Sequence, residues 1–181
     1  MPGIGHLAVG LAAARVTTPP AGLGRWRWTM LLAAVSFAPD LDVLAFPLGI
    51  PYDAPFGHRG ALHSLAFAAT CGCGLALAAR AGNIPPLRIL CGTSLVMASH
   101  GILDAFTDGG RGVALLWPLT ATRYFAPWRP IPVSPIGSAV FSGRGLHVIF
   151  LETLLFLPVL VVAFWPRAAV QSARSQSSCR D

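Results

Sequence analysis

Residues 87–106 read LRILCGTSLVMASHGILDAF. The run is long enough to cross a hydrocarbon core, which takes about 20 predominantly apolar residues. Its last turns nevertheless carry His100 and Asp104. Four positions apart on a helix, the two face the same way. An ionisable pair near hydrocarbon needs a partner, an aqueous cavity or a metal. The same theme recurs in or beside other apolar stretches: His6, the Pro39-Asp40-Leu41-Asp42 run, and His58-Arg59-Gly60-Ala61-Leu62-His63-Ser64. Counting Asp108, these clusters hold four of five histidines and four of seven acids. A charge-poor chain has gathered its ionisable groups in a few places.

The composition is that of a membrane protein. Hydrophobic residues make up 54% of the 181 and charged ones 11%, with a mean hydropathy of +0.63; a soluble domain carries about 25% charged residues. All thirteen basic residues are arginines, and the net charge is +6. A nucleic-acid binder gathers such charge on one polar face. Here the arginines punctuate the ends of apolar stretches, as residues that anchor helices and set topology do. The expected partner is the lipid bilayer, and no nucleic acid. Cys71, Cys73 and Cys91 lie inside apolar segments as small hydrophobes, and Cys71-Gly-Cys73 does not have zinc-knuckle spacing. The start of the chain lacks the basic region of a secretory signal, so the segment bearing His6 is expected to be retained. No nucleophile elbow, P-loop, dinucleotide fingerprint or HExxH motif occurs, which leaves those enzyme classes without motif support.

Four segments suffice, or nearly so, to span: 28–50, 61–79, 87–106 and 146–165. A fifth, 4–14, is too short to cross unaided. The expected fold is all-α, an integral membrane helical bundle of four long spans plus a short N-terminal helix. Residues 1–166 form the membrane-embedded domain, and 167–181 a polar, disordered tail. If each long segment crosses once, Arg15, Arg25, Arg27, Arg80, Arg88, Arg167, Arg174 and Arg180 share one side. Arg59, Arg111, Arg123, Arg129 and Arg144 share the other. The positive-inside rule makes the first side, and the C-terminus, cytoplasmic. His58, His63, His100 and Asp104 then gather toward the extracytoplasmic half, and His6 joins them if the short helix begins there. The long connection 107–144, with Trp117, Tyr124, Phe125 and Trp128, reads as an interfacial segment that either anchors to headgroups or covers the site.

A His-x-x-x-Asp pair can grip one metal, or the acid can orient the imidazole. Asp40 and Asp42 point to nearly opposite faces of a regular helix, so they share a site only if the backbone is irregular, and Pro39 supplies the break. Imidazoles with carboxylates suit zinc, manganese or iron rather than copper(I). His6, Asp40, Asp42, His58, His63, His100 and Asp104 exceed the needs of one closed zinc site and suffice for two open ones. The expected cofactor is one or two divalent ions, zinc first and manganese second. Arg59 is expected to stabilise negative charge on a substrate, a task suited to guanidinium, and Asp108 to act as base or to orient a ligand. Glu152, deep in an apolar run, is expected to pair with an arginine or a clustered histidine, and His147 to be interfacial.

The motifs Gly5-His6-Leu7, Pro39-Asp40-Leu41-Asp42, Gly57-His58-Arg59-Gly60 with His63-Ser64, and Ser99-His100 with Asp104, Thr107 and Leu115-Leu116-Trp117-Pro118 resemble the bacterial inner-membrane YdjM-type family. The likeness runs in order over residues 1–135. It implies a multi-pass protein of the inner membrane and a membrane-bound, metal-dependent hydrolase. Where some relatives carry a histidine after the second aspartate, this chain has Val43. The family is remotely similar to zinc-dependent phospholipase C and P1-type nucleases, which implies hydrolysis of a phosphoester or ester in a lipid or envelope intermediate by metal-activated water. Two other classes stay open: a metal-handling or transport protein, and a non-enzymatic bundle held by structural His/Asp pairs.

Overall fold

In the computed structural model, which describes residues 3–165, helices and loops make up the protein, with no strands among the described residues. The expected tail 167–181 lies outside the described residues. Helix α1 spans Ile4–Val16, and α2 spans Arg25–Phe37 and runs on as a 3-10 helix, Ala38–Ala45. A short 3-10 turn, Ala61–His63, leads into α3, Leu65–Ala81, and α4 follows at Pro86–Ala105. After the long connection come a 3-10 helix, Gly137–Phe141, then α5, Gly143–Leu155, and α6, Leu157–Phe164.

Local chemistry sets these boundaries. Pro39 sits in the first turn of the 3-10 segment; having no N–H to return to the preceding turn, it ends regular α geometry after Phe37. The Ser64 hydroxyl accepts from the Phe67 N–H at 3.0 Å and starts α3, as a serine N-cap does. Ser142 caps α5 in the same way through the Gly145 N–H.

Among the described residues, two helices, Arg25–Ala45 and Pro86–Ala105, are long and apolar enough to cross a membrane. The pair Gly143–Leu155 and Leu157–Phe164 makes a third if counted as one span, although it bends by 64°. Helix α3, at 17 residues, sits at the lower limit for crossing, because Ala61–His63 is taken into the 3-10 turn. The core packs α1, α2, α3 and α4 through Ala14, Trp28, Leu32, Ala68, Val96 and Met97. Small residues bring these helices close, the usual device where lipid removes the hydrophobic drive. Leu77, Leu95, Phe150 and Val162 stay exposed on the outside, as side chains facing hydrocarbon would.

The four core helices share one arrangement. Helix α1 begins, α2 ends, α3 begins and α4 ends at the same pole of the molecule, which is where the polar clusters meet. The connection after α4 is pinned there by backbone hydrogen bonds: Val113 and Tyr124 exchange both N–H···O contacts at 2.9 Å, Leu65 N–H donates to Leu115 O, and Ala126 N–H donates to Ala105 O.

Candidate metal centre

The break after Phe37 lets the aspartates diverge usefully. Asp40 turns toward α4 and Asp42 toward the loop before α3. Asp40 Oδ1 lies 3.6 Å from His63 Nε2 and 3.4 Å from His100 Nε2. Asp104 Oδ2 lies 3.4 Å and 4.0 Å from the same two nitrogens, which are 3.1 Å apart. Donors around a tetrahedral zinc with bonds of about 2.0–2.2 Å stand about 3.3–3.6 Å from one another. The four atoms therefore have the mutual spacing to hold one metal ion.

The tautomer of His100 follows from its neighbour. Its Nδ1 is 2.7 Å from the Ser36 carbonyl oxygen. A carbonyl only accepts, so Nδ1 carries the hydrogen and the Nε2 lone pair points into the cluster. His63 Nδ1 lies 3.0 Å from Asp42 Oδ2, in ion-pair range but out of line for a hydrogen bond. Imidazoles that bind metals are commonly oriented by such neighbours.

Asp42 belongs to a second, hydrogen-bonded layer. Its Oδ1 is 2.6 Å from His58 Nδ1, and its Oδ2 accepts the Arg59 backbone N–H at 2.9 Å. Asp42, His58 and His63 also form a triad of potential ligands. The 2.6 Å contact is shorter than the separation of two ligands on one ion, so hydrogen bonding is its natural content. Arg59 is 2% exposed. Its Nε lies 3.1 Å from Asp104 Oδ2, and one terminal nitrogen donates to Thr107 Oγ1 at 2.8 Å and to Gly109 O at 3.1 Å.

Of the seven expected ligands, Asp40, His63, His100 and Asp104 converge, while Asp42 and His58 stand behind them. His6 stacks on His100, with ring centroids 3.5 Å apart, and its Nε2 is 3.6 Å from the other Asp104 oxygen, Oδ1. It sits beside the converging set, and neither of its ring nitrogens has a hydrogen-bond partner among the described residues. Asp108 is exposed and lies past the end of helix α4 at Ala105, and its Oδ1 accepts from Val133 N–H at 2.7 Å.

Glu152 corrects the expectation of a basic partner. Fully buried, it accepts the Gly5 N–H at 2.9 Å through Oε1, capping from α5 a helix whose own N-cap, Gly3, offers no side chain. The sequence marks Arg123 only as a charge in the long connection. It donates to His58 O and Tyr52 O, both at 2.9 Å, and so braces the loop that carries His58. Burial pushes its guanidinium below the ordinary value, though arginine keeps its charge in proteins. A lone arginine gives no signal for carbonyl bracing, and only the isolation of Glu152 in an apolar run hinted at a bond.

A cleft of about 310 Å³ opens beside the cluster, lined among others by Asp40, Tyr52, His58 and Arg59 and by Val133, Ile136 and Val140. The side chains of His63 and His100 are 0% exposed, while that of Asp40 is 30% exposed. Asp40 is therefore the member of the four through which the cluster meets the cleft.

Fold and site together define an integral membrane protein with a polar His/Asp cluster at one pole of its helices. The chain belongs to the YdjM inner membrane protein family, which residues 1–172 match. It is 34% identical over 157 residues to inner membrane protein YbcI of Escherichia coli (strain K12), covering 83% of this chain and 84% of that protein. The bacterial inner membrane is accordingly its location. No solved structure matches it.

Proposed function

We propose that this protein is a membrane-bound, metal-dependent hydrolase of phosphoesters or esters, with its site at the extracytoplasmic end of four crossings and its C-terminus in the cytoplasm. The observation that carries this reading is the four-atom cluster of Asp40, His63, His100 and Asp104. With the Nδ1 hydrogen of His100 on the Ser36 carbonyl, its Nε2 lone pair faces His63 Nε2 at 3.1 Å, an arrangement that needs a cation or a proton between them. Zinc suits two imidazoles and two carboxylates, with manganese second. When bound, such an ion supplies Lewis acidity and lowers the pKa of water.

The chain's own groups supply the rest. Asp42 holds His58 through Nδ1, which frees Nε2 to take a proton at the wall of the cleft. Arg59 keeps a fixed positive charge where negative charge develops on an ester oxygen. In the reaction the oxygen of water bonds to phosphorus or acyl carbon. The bond to the leaving oxygen breaks, and the proton passes to that oxygen. Asp108, exposed and lining a separate cleft, has no part in this scheme.

Elemental analysis of the detergent-purified protein, beside His100→Ala and Asp104→Asn, tests the reading. We expect one equivalent of zinc or manganese in wild type and none in variants that keep their helical circular dichroism. Turnover of chromogenic phosphodiesters or esters should be lost with the metal. No metal in wild type even after reconstitution overturns the proposal. That result favours a second reading, suggested by the burial of His63, His100 and Asp104, in which a shared proton joins the histidines and the cluster only binds helices together.

A further inference from the structure

The cleft is amphipathic. Its lining mixes polar groups (Asp40, His58, Arg59, Ser134) with apolar ones (Val43, Val133, Ile136, Val140). Arg111 and Arg123 flank Tyr52 at its edge, with guanidinium carbons 5.7 and 5.4 Å from the ring centroid. Arg111 is ion-paired there with Asp53, and Arg123, which donates only to backbone carbonyls of the neighbouring loop, brings positive charge to that edge.

Its size limits what can enter. A volume of about 310 Å³ is at the lower end for ligand pockets, roughly 300–1,000 Å³. It suffices for an anionic head and the first carbons of a chain, and is too small for a whole lipid. The two elements framing it, Ala38–Ala45 and Gly137–Phe141, expose large apolar side chains at or beside them: Leu41 and Leu44 on one, Ile136 and Phe141 on the other. The first of these is the end of a span. Tyr124, Phe125 and Trp128, exposed on the connection between α4 and α5, are residues that settle at headgroup depth.

From this placement we infer that the cleft takes the phosphate-bearing head of a single-chain amphiphile, which enters sideways from the bilayer between Ala38–Ala45 and Gly137–Phe141 while most of its hydrocarbon stays in the membrane. The inference rests on the hydrolase reading for its phosphate, and adds the chain and the route of entry.

The test uses the full-length protein in lipid nanodiscs and a dodecylphosphonate carrying a photoactivatable diazirine next to the head; its P–C bond resists hydrolysis. After illumination, labelled peptides are mapped by mass spectrometry and the metal content of the same sample is measured. We expect labelling concentrated in 38–45 and 133–141. Unlabelled dodecylphosphonate should displace it more than about tenfold better than methylphosphonate, since a membrane-resident chain raises the local concentration of its head. Ile136→Asp, in the apolar part of the lining, should cut labelling severalfold while metal content and circular dichroism stay unchanged. Labelling spread evenly over the outer helix faces, equal labelling by a trimethylammonium probe of the same chain, or equal competition by methylphosphonate would each overturn the inference. Bound metal together with any of those results leaves hydrolysis standing and removes only the amphiphile. Cleft labelling without metal supports the lipid site and removes the hydrolysis.

Discussion

Arg59 has a backbone φ of +61°, a left-handed conformation that costs a residue with a side chain on the order of 1–3 kcal/mol. It persists because both the backbone and the guanidinium of the residue are held. The N–H donates to Asp42, the carbonyl accepts from Ala114 N–H, and the guanidinium reaches Asp104, Thr107 and Gly109. Glu152 is held through one carboxylate oxygen, which accepts the Gly5 N–H, and its removal is measurable. Glu152→Ala leaves the buried Gly5 N–H without its acceptor, a loss of about 1–3 kcal/mol, whereas Glu152→Gln keeps a carbonyl oxygen in place and should lose less. Thermal melting in detergent should rank wild type, Gln and Ala in that order; equal melting of wild type and Ala would remove the cap from the account. The contrast also shows what a sequence reveals at this scale. Asp40, His63, His100 and Asp104 stood out because ionisable side chains in apolar runs demand a partner. The partner of Glu152 did not, because a backbone amide is present at nearly every position and has no letter of its own.

Between elements, the centre depends on how closely α4 meets the turn Ala61–His63. A side chain on Gly101 would collide with the backbone oxygen of His63, and neither backbone can swing aside as a flexible side chain would. Gly101→Ala should therefore push His63 away from His100, destabilise the protein by about 1–3 kcal/mol, and lower metal content in elemental analysis without touching any ligand. Full metal content in that variant would mean the turn yields freely. The break after Phe37 was readable, since Pro39 cannot continue an α-helix. The apolar run 146–165 reads as one span, yet the structure bends it between α5 and α6. Pro158, in the first turn of α6, removes the N–H that would have tied it to the turn before, and an apolar window says nothing of direction. The start of α3 shifted for a similar reason: the segment beginning at Ala61 is apolar enough for helix, but Ser64 caps the chain three residues later.

For the whole molecule, alternating crossings were enough to predict that His58, His63, His100 and Asp104 meet at one pole, and His6 joins them because α1 does begin there; Asp40 and Asp42, mid-span in a crossing of 28–50, reach that pole because the helical segment ends at Ala45. Which pole faces outward is a relation to the membrane rather than to any distance within the fold, and the arginine distribution argues it. Single cysteines at Thr122 and Gly82, both exposed and at opposite poles, test it in a background with native cysteines replaced by alanine. A membrane-impermeant maleimide added to intact spheroplasts should label Thr122→Cys and spare Gly82→Cys; the reverse pattern inverts the protein and places the centre in the cytoplasm. The bond between Gly5 and Glu152 also sets a clock. The two are 147 residues apart, and a ribosome adding about 5–20 residues per second takes roughly 7–30 s to deliver the acceptor to the waiting amide. During that interval the first helix is already made while the carboxylate that seats its start is still untranslated. The pole bearing His6 is therefore completed late in synthesis, and a nascent chain released before its fifth helix carries the clustered ligands without the clasp that closes them.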